Sequence, residues 1–288
     1  MMRQKMNVSA TSWCAALVAA AWLNGATAAP APYPPPNVQR DIAYGPDPAQ
    51  SLDLYPAAPG AHPLVIYVHG GGWVGGNKGG GRRIALALNA AGYTVASIGY
   101  RLVPQSDVAG AMQDLAQATA YLQAHALQLG IVPAHFAVMG HSSGAHMAAL
   151  LGTDQSYLRR AGVDPAKLAV VITLDGVYDI KTNVTHYPSS TRTEVFGMDP
   201  QDWARYSPID HIADMTSHPL FCPLHEDHVQ RFVEQAAEFE AALTQHKEHF
   251  VSAVAPGLNH GQLVGEFDNP AEPMKAFTLE CLKKAVLF

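Results

Sequence analysis

The sequence predicts an α/β fold, a mostly parallel central sheet of about eight strands flanked by helices, with a small cap insertion. Three observations predict it. Short β-rich runs alternate with longer runs of helical period, the pattern of strands joined by crossover helices. Leu64–His69 and Leu168–Leu174 are continuous apolar runs, as expected of strands buried on both faces. The 288 residues are 48% hydrophobic and 15% charged, enough for one large core.

Before the domain, Arg3 and Lys5 form a positive region, Cys14 to Leu23 an apolar run, and Ala26-Thr27-Ala28 a small-residue site. These read as an export signal over residues 1–28, cleaved after Ala28. The apolar run is shorter than the roughly 20 residues a membrane span needs. Cys14 also lacks the preceding residues of a lipid-attachment site, so the expectation is soluble release, secreted or periplasmic, with no stable membrane insertion. Residues 29–37 hold five prolines and read as a solvated leader. The catalytic domain is expected over 38–288.

Asp41–Tyr44 and Ser51–Tyr55 read as an opening hairpin across Gly45-Pro46-Asp47-Pro48. After the strand at Leu64–His69 comes a helix over Arg83–Ala91, stopped at Gly92 where a glycine cap is expected. Tyr93–Gly99 is a strand. Asp107 to Leu129 is a long helix, with Ala111, Leu115, Ala118 and Leu122 at helical spacing. His135–Met139 is a strand and Ser143–Leu151 the helix leaving it. Residues 176–217 show no clear period but carry Tyr178, Tyr187, Phe196, Trp203 and Tyr206, and read as a cap over a pocket. Pro219–Leu224 and His249–Ala255 are the last strands, around a helix from about His228 to His246, and a terminal helix runs from about Pro270 to Ala285.

Composition excludes several function classes. The formal charge is −6, falling to −8 without Arg3 and Lys5, and no Lys/Arg cluster offers a phosphate-backbone footprint. Nucleic acid is therefore not an expected partner. Gly70–Gly81 is glycine-rich, but Lys78 follows Asn77 and precedes Gly79, which breaks the nucleotide-binding pattern. His225 and His228 flank Glu226 and Asp227 without the His-Glu-x-x-His spacing of a zinc hydrolase, so neither metal nor cofactor is expected. Cys222 and Cys281 can pair in an oxidising compartment or stand as separate buried thiols.

The chemistry-bearing residues then fall in a definite order. Gly140-His141-Ser142-Ser143-Gly144 lies between a predicted strand and a predicted helix, where G-x-S-x-G makes a sharp turn that exposes a nucleophilic serine, here Ser142. A serine needs a base, and the base an orienting acid, in the chain order Ser…Asp/Glu…His. His260, in the turn-rich Pro256-Gly257-Leu258-Asn259-His260-Gly261 after the last strand, is the base. Asp227, after the penultimate strand, is the favoured acid, with Glu226 and Asp175 as alternatives. Attack on a carbonyl creates an oxyanion, and the glycines of His69-Gly70-Gly71-Gly72-Trp73 allow backbone N–H groups to approach it. Gly71 and Gly72 are assigned as donors together with the Ser143 N–H.

The segments His69-Gly70-Gly71-Gly72-Trp73, Tyr100-Arg101-Leu102 and Gly140-His141-Ser142-Ser143-Gly144 together resemble α/β-hydrolase esterases, among them the hormone-sensitive-lipase-like, bacterial feruloyl-esterase-like and kynurenine-formamidase-like enzymes. The resemblance runs from the first strand to His260. It implies the α/β-hydrolase fold and hydrolysis of carboxylic esters of small or aromatic substrates through an acyl-enzyme, without a metal. Such families commonly carry His-Gly-x-x-Asp at the acid, and here Glu226 replaces the glycine. An arylformamidase-like amide hydrolase and a non-catalytic binding protein on the same fold are the alternatives.

Overall fold

The computed structural model describes residues 37–285, so the expected export signal and all of the leader but Asn37 lie outside the described residues. Eight strands form one sheet: β1 (Gln39–Ala43), β2 (Ser51–Tyr55), β3 (His62–Val68), β4 (Thr94–Ile98), β5 (Ile131–His141), β6 (Leu168–Leu174), β7 (Leu220–Glu226) and β8 (Ala253–Ala255). Their spatial order is β1-β2-β4-β3-β5-β6-β7-β8. The opening β1–β2 pair and the β2–β4 pair are antiparallel, and every later neighbour is parallel. Parallel pairing demands crossovers, and the sequence supplies helices between the strands: α1 (Arg82–Asn89), α2 (Val108–Ala124), α3 (Ser143–Thr153), α4 (Ser156–Arg160), α5 (Ile180–Thr185), α6 (Ser190–Phe196), α7 (Pro200–Tyr206) and α8 (Gln230–Gln245), with α9 (Gln262–Gly265) and α10 (Pro273–Lys284) following β8.

The strand period of two divides the core between the two faces of the sheet. Along β3, Leu64, Ile66 and Val68 join Met112, Leu115 and Leu122 of α2, Met147 and Leu151 of α3, and Phe239 and Leu243 of α8. Val65 and Tyr67 point the other way, to Ile84 and Leu88 of α1 and to Met274, Phe277 and Leu282 of α10. On that second face Cys222 of β7 is disulfide-bonded to Cys281 of α10, both fully buried, which closes a question the sequence leaves open.

Several stretches differ from expectation: α2 stops at Ala124, short of the expected Leu129, and β5 begins at Ile131, before the expected His135. The last strand is confined to Ala253–Ala255, with Phe250 joined to Phe221 by an isolated bridge, so only part of the apolar run pairs. Residues 176–217 contain α5, α6 and α7 followed by a 3₁₀ turn over Pro208–Asp214. Helices of six or seven residues are too short to show a period, but each begins at a side-chain cap, on Asp179, Ser189 and Asp199. The aromatics of this segment mostly pack: Tyr178, Phe196, Trp203 and Tyr206 are buried in the core shared with α3. Among the described residues no helix is long and apolar enough to cross a membrane.

Candidate active site

Parallel strands bring their carboxyl ends to one edge of the sheet, and the chemistry collects there. Ser142 follows β5, Asp175 follows β6, Glu226 ends β7, and His260 lies between β8 and α9. Ser142 has φ 56° and ψ −121°, a left-handed conformation that a residue with a side chain adopts only when its surroundings enforce it. The enforcement is local. The Ser142 N–H donates to the Leu174 carbonyl at 2.9 Å, its carbonyl accepts from His146 N–H at 3.1 Å, and α3 starts at once. A Cβ on Gly144 would stand 2.2 Å from the Val68 carbonyl, so glycine is required for the elbow to pass β3.

His260 Nε2 lies 3.0 Å from Ser142 Oγ, and His260 Nδ1 lies 2.7 Å from Asp175 Oδ2. With Nδ1–H donated to the carboxylate, Nε2 is left to accept the Ser142 hydroxyl proton. The ring is fixed on both sides, stacked on Phe232 at 4.4 Å and 10° and tilted against His141 at 4.4 Å. His141 Nε2–H donates to the His260 carbonyl at 2.9 Å. Burial, reinforced by the nearby His260, lowers His141 to about 3, so it serves as a neutral strut.

The structure corrects the expected acid. Asp227 is 40% exposed at its side chain; it accepts from Gly257 N–H at 3.0 Å and lies 3.5 Å from His228, and it makes no hydrogen bond to His260. Glu226 is buried, but its two oxygens accept from the His228 and Val229 N–H groups at 2.8 and 2.7 Å, at the start of α8. Asp175 takes the place. Its side chain is fully buried, and its second oxygen accepts from Glu226 N–H at 2.9 Å. Burial raises its pKa, and the hydrogen bond from His260 opposes that shift most strongly. The fold order Ser–acid–His leaves two successive strand ends open to the acid, and β6 is the one whose end adjoins β5.

The loop after β3 borders Ser142. Gly71 has φ 134°, and a Cβ there would collide with the Gly75 carbonyl at 2.1 Å. Among the described residues neither Gly71 nor Gly72 donates its N–H to a backbone carbonyl, and the Ser143 N–H opens α3, where no preceding turn offers an acceptor. Three donors thus remain for a ligand. The loop is held at Trp73, which also has positive φ; its Nε1–H donates to His146 Nδ1 at 3.2 Å, and His146 Nε2–H donates to the Tyr206 carbonyl at 2.8 Å. Sequence reasoning missed His141, His146 and Phe232. His141 and His146 sit in and just after the serine motif, while nothing local marks Phe232.

A cleft of about 540 Å³ opens beside these groups, lined among others by Tyr67, Gly71, Gly72, Asn77, Ser142 and His260. The buried aromatics of α5–α7 are not part of its wall. His141, Asp175 and His260 offer ligand atoms within 4.8 Å of one another. The Asp175 and His260 atoms already hydrogen-bond one another and Ser142, while His141 Nε2–H is given to the His260 backbone carbonyl, so proton relay is the chemistry Asp175 and His260 are arranged for. The group at His225, Glu226, Asp227 and His228 does not converge: His225 Nδ1 bonds the Glu226 carbonyl, and the Glu226 carboxylate accepts the His228 and Val229 N–H groups just before α8.

Residues 52–243 match the BD-FAE family. An isoprenylcysteine alpha-carbonyl methylesterase of Arabidopsis thaliana is 30% identical over 157 residues, 52% of this chain and 37% of that protein. Esterase LipC of Mycobacterium tuberculosis is 35% identical over 120 residues, 40% of this chain and 29% of that protein. The chain therefore spans well under half the length of these curated relatives. Esterase B from Lactobacillus Rhamnosis superposes with a TM-score of 0.74 at 22% identity, over 86% of this chain and 84% of that one. That likeness bears on the fold, which is the α/β-hydrolase fold the sequence predicts.

Proposed function

The chain belongs to the BD-FAE family, and from that membership we propose that it hydrolyses carboxylic esters with Ser142 as nucleophile, His260 as base and Asp175 as acid. The observation that carries this is the relay of 3.0 Å from Ser142 Oγ to His260 Nε2 and 2.7 Å from His260 Nδ1 to Asp175 Oδ2. Esterase activity among the relatives supports it.

In this reading Ser142 Oγ attacks the ester carbonyl carbon as its proton passes to His260 Nε2. Asp175 keeps Nδ1–H in place and stabilises the imidazolium. The N–H groups of Gly71, Gly72 and Ser143 meet the oxyanion. Collapse expels the alkoxide, which takes the proton from His260, and leaves an acyl group on Ser142. A water molecule then repeats the sequence, giving its proton to His260, and releases the acid. The open cleft suits a small or aromatic ester.

The reading is tested with p-nitrophenyl acetate: the wild type turns it over, and Ser142→Ala lowers kcat by about 10³-fold or more. Near-normal turnover in that variant would overturn it. Export to a secreted or periplasmic location belongs to the same proposal, supported by Arg3, Lys5 and the small-residue site at Ala26-Thr27-Ala28. The Cys222–Cys281 disulfide supports an oxidising compartment. Sequencing the amino terminus of the protein released from cells would locate cleavage after Ala28 or refute it.

A further inference from the structure

Two arginines stand beside the catalytic groups without an acid to pair with. Arg192 lies in α6 next to Thr191, whose Cγ2 is 4.0 Å from the point a Cβ on Gly72 would occupy, so this end of α6 borders the loop after β3. Its Nη1–H donates to the Tyr187 carbonyl, and its buried Nε has no partner among the described residues. The Tyr187 hydroxyl donates to Glu234 at 2.5 Å, one helical turn along α8 from Arg231, which ties α6 to α8 at this point.

Arg231 has its guanidinium 4.3 Å over the Phe232 ring, the ring that stacks on His260 at 4.4 Å. Arg231 and His260 thus share the Phe232 ring as a packing partner. Among the described residues no carboxylate comes within ion-pair distance of either guanidinium. The acids nearby are engaged: Glu234 by Tyr187 and His186, and Asp175 by His260 and the Glu226 N–H.

We propose that Arg192 and Arg231 form an anion subsite that binds a carboxylate on the alcohol portion of the ester, a proposal that rests on the esterase reading above. Two partly buried cations repel one another, Asp175 attracts Arg231 only from beyond ion-pair distance, and a carboxylate arriving between them supplies the direct partner that the described residues lack. Burial and the Arg192 charge lower Arg231 to about 10, which leaves it cationic at neutral pH. Guanidinium groups match a carboxylate in plane and spacing, which favours this ligand over a neutral polar group. The alcohol side is chosen because His260 hands its proton to the leaving alkoxide and Arg231 packs on Phe232, the ring that supports His260.

The test compares kcat/KM for 4-acetoxybenzoate with that for neutral 4-acetoxybenzamide. The wild type is expected to favour the acid by about tenfold or more, the scale of one good ionic contact. Arg231→Gln and Arg192→Gln should each cut that ratio severalfold, with Arg231→Lys between Arg231→Gln and wild type. Inhibition of the wild type by 4-hydroxybenzoate, stronger than by 4-hydroxybenzamide, reads the same subsite without any substitution. Hydrolysis of both esters at a ratio near one, or a ratio unmoved by both glutamine variants, overturns the subsite and leaves the esterase reading standing. Hydrolysis of neither ester while p-nitrophenyl acetate is turned over overturns the subsite alone; turnover of none of the three overturns the esterase reading and the subsite with it.

Discussion

His260 Nδ1 donates a 2.7 Å hydrogen bond to Asp175, 85 residues earlier in the chain, while Asp227, at the end of the adjoining strand, is occupied by the Gly257 N–H at 3.0 Å. The two aspartates should therefore separate cleanly in kinetics. Asp175→Asn removes the acceptor that holds Nδ1–H and the charge that stabilises the imidazolium, and is expected to lower kcat by about 10³–10⁴-fold. Asp227→Asn is expected to stay within about threefold of wild type, since it gives up an exposed contact. Steady-state rates on one ester for both variants decide it; a large loss at Asp227 with little at Asp175 would return the acid to β7.

This aspartate also marks how far sequence reasoning reaches. Strand positions and the serine elbow were legible because each is a local signal: a β-branched run, or a glycine forced by a 2.2 Å approach. The order of nucleophile, acid and base narrowed the acid to a few strand ends, but choosing among them needs side-chain direction, which arises from φ at one residue. Asp175 has φ 50°, and nothing in Leu174-Asp175-Gly176 announces it apart from the glycine that follows. Phe232 meets His260 from a different element, and Arg192 and Arg231 stand about forty residues apart on α6 and α8; no period or motif encodes such meetings.

Glu226 is buried for a structural reason, since its carboxylate accepts two N–H groups at the start of α8 and its own N–H supports Asp175. Glu226→Ala should lower stability by about 1–3 kcal/mol, because two partly buried N–H donors lose a charged acceptor and a buried side chain is truncated. It should lower kcat far less than Asp175→Asn, since the backbone N–H to Asp175 survives the change. Urea midpoints and rates measured on the same preparation test both halves; equal kinetic losses at Glu226 and Asp175 would contradict this division of roles.

The Cys222–Cys281 bond joins residues 59 apart on the face opposite α3 and α8. Closing a loop of that size removes entropy from the unfolded chain worth about 4 kcal/mol in the loop-closure description. The double variant Cys222→Ala with Cys281→Ala should melt on the order of 10 °C lower. Its kcat at moderate temperature should be little changed, because neither cysteine lies near Ser142. A melting temperature equal to that of wild type would mean that burial, not the bond, secures α10.

His146 links the Trp73 indole to the Tyr206 carbonyl in full burial, and burial lowers it to about 4 from an ordinary 6.5. The folded chain therefore resists a proton that the unfolded chain accepts. The stability contributed by neutral His146 is complete above about pH 6.5 and is lost as the pH falls toward 4, at up to about 1.4 kcal/mol per pH unit. His141, lowered to about 3 by the same cause, acts in the same direction. His146→Gln keeps one acceptor for Trp73 and one donor for Tyr206 but does not titrate. The variant should be less stable than wild type at pH 8, since its shape differs, yet lose less stability between pH 6.5 and 4.5. Urea midpoints at pH 8, 6.5, 5.5 and 4.5 for both proteins give the two slopes; parallel slopes would show that the acid sensitivity arises elsewhere.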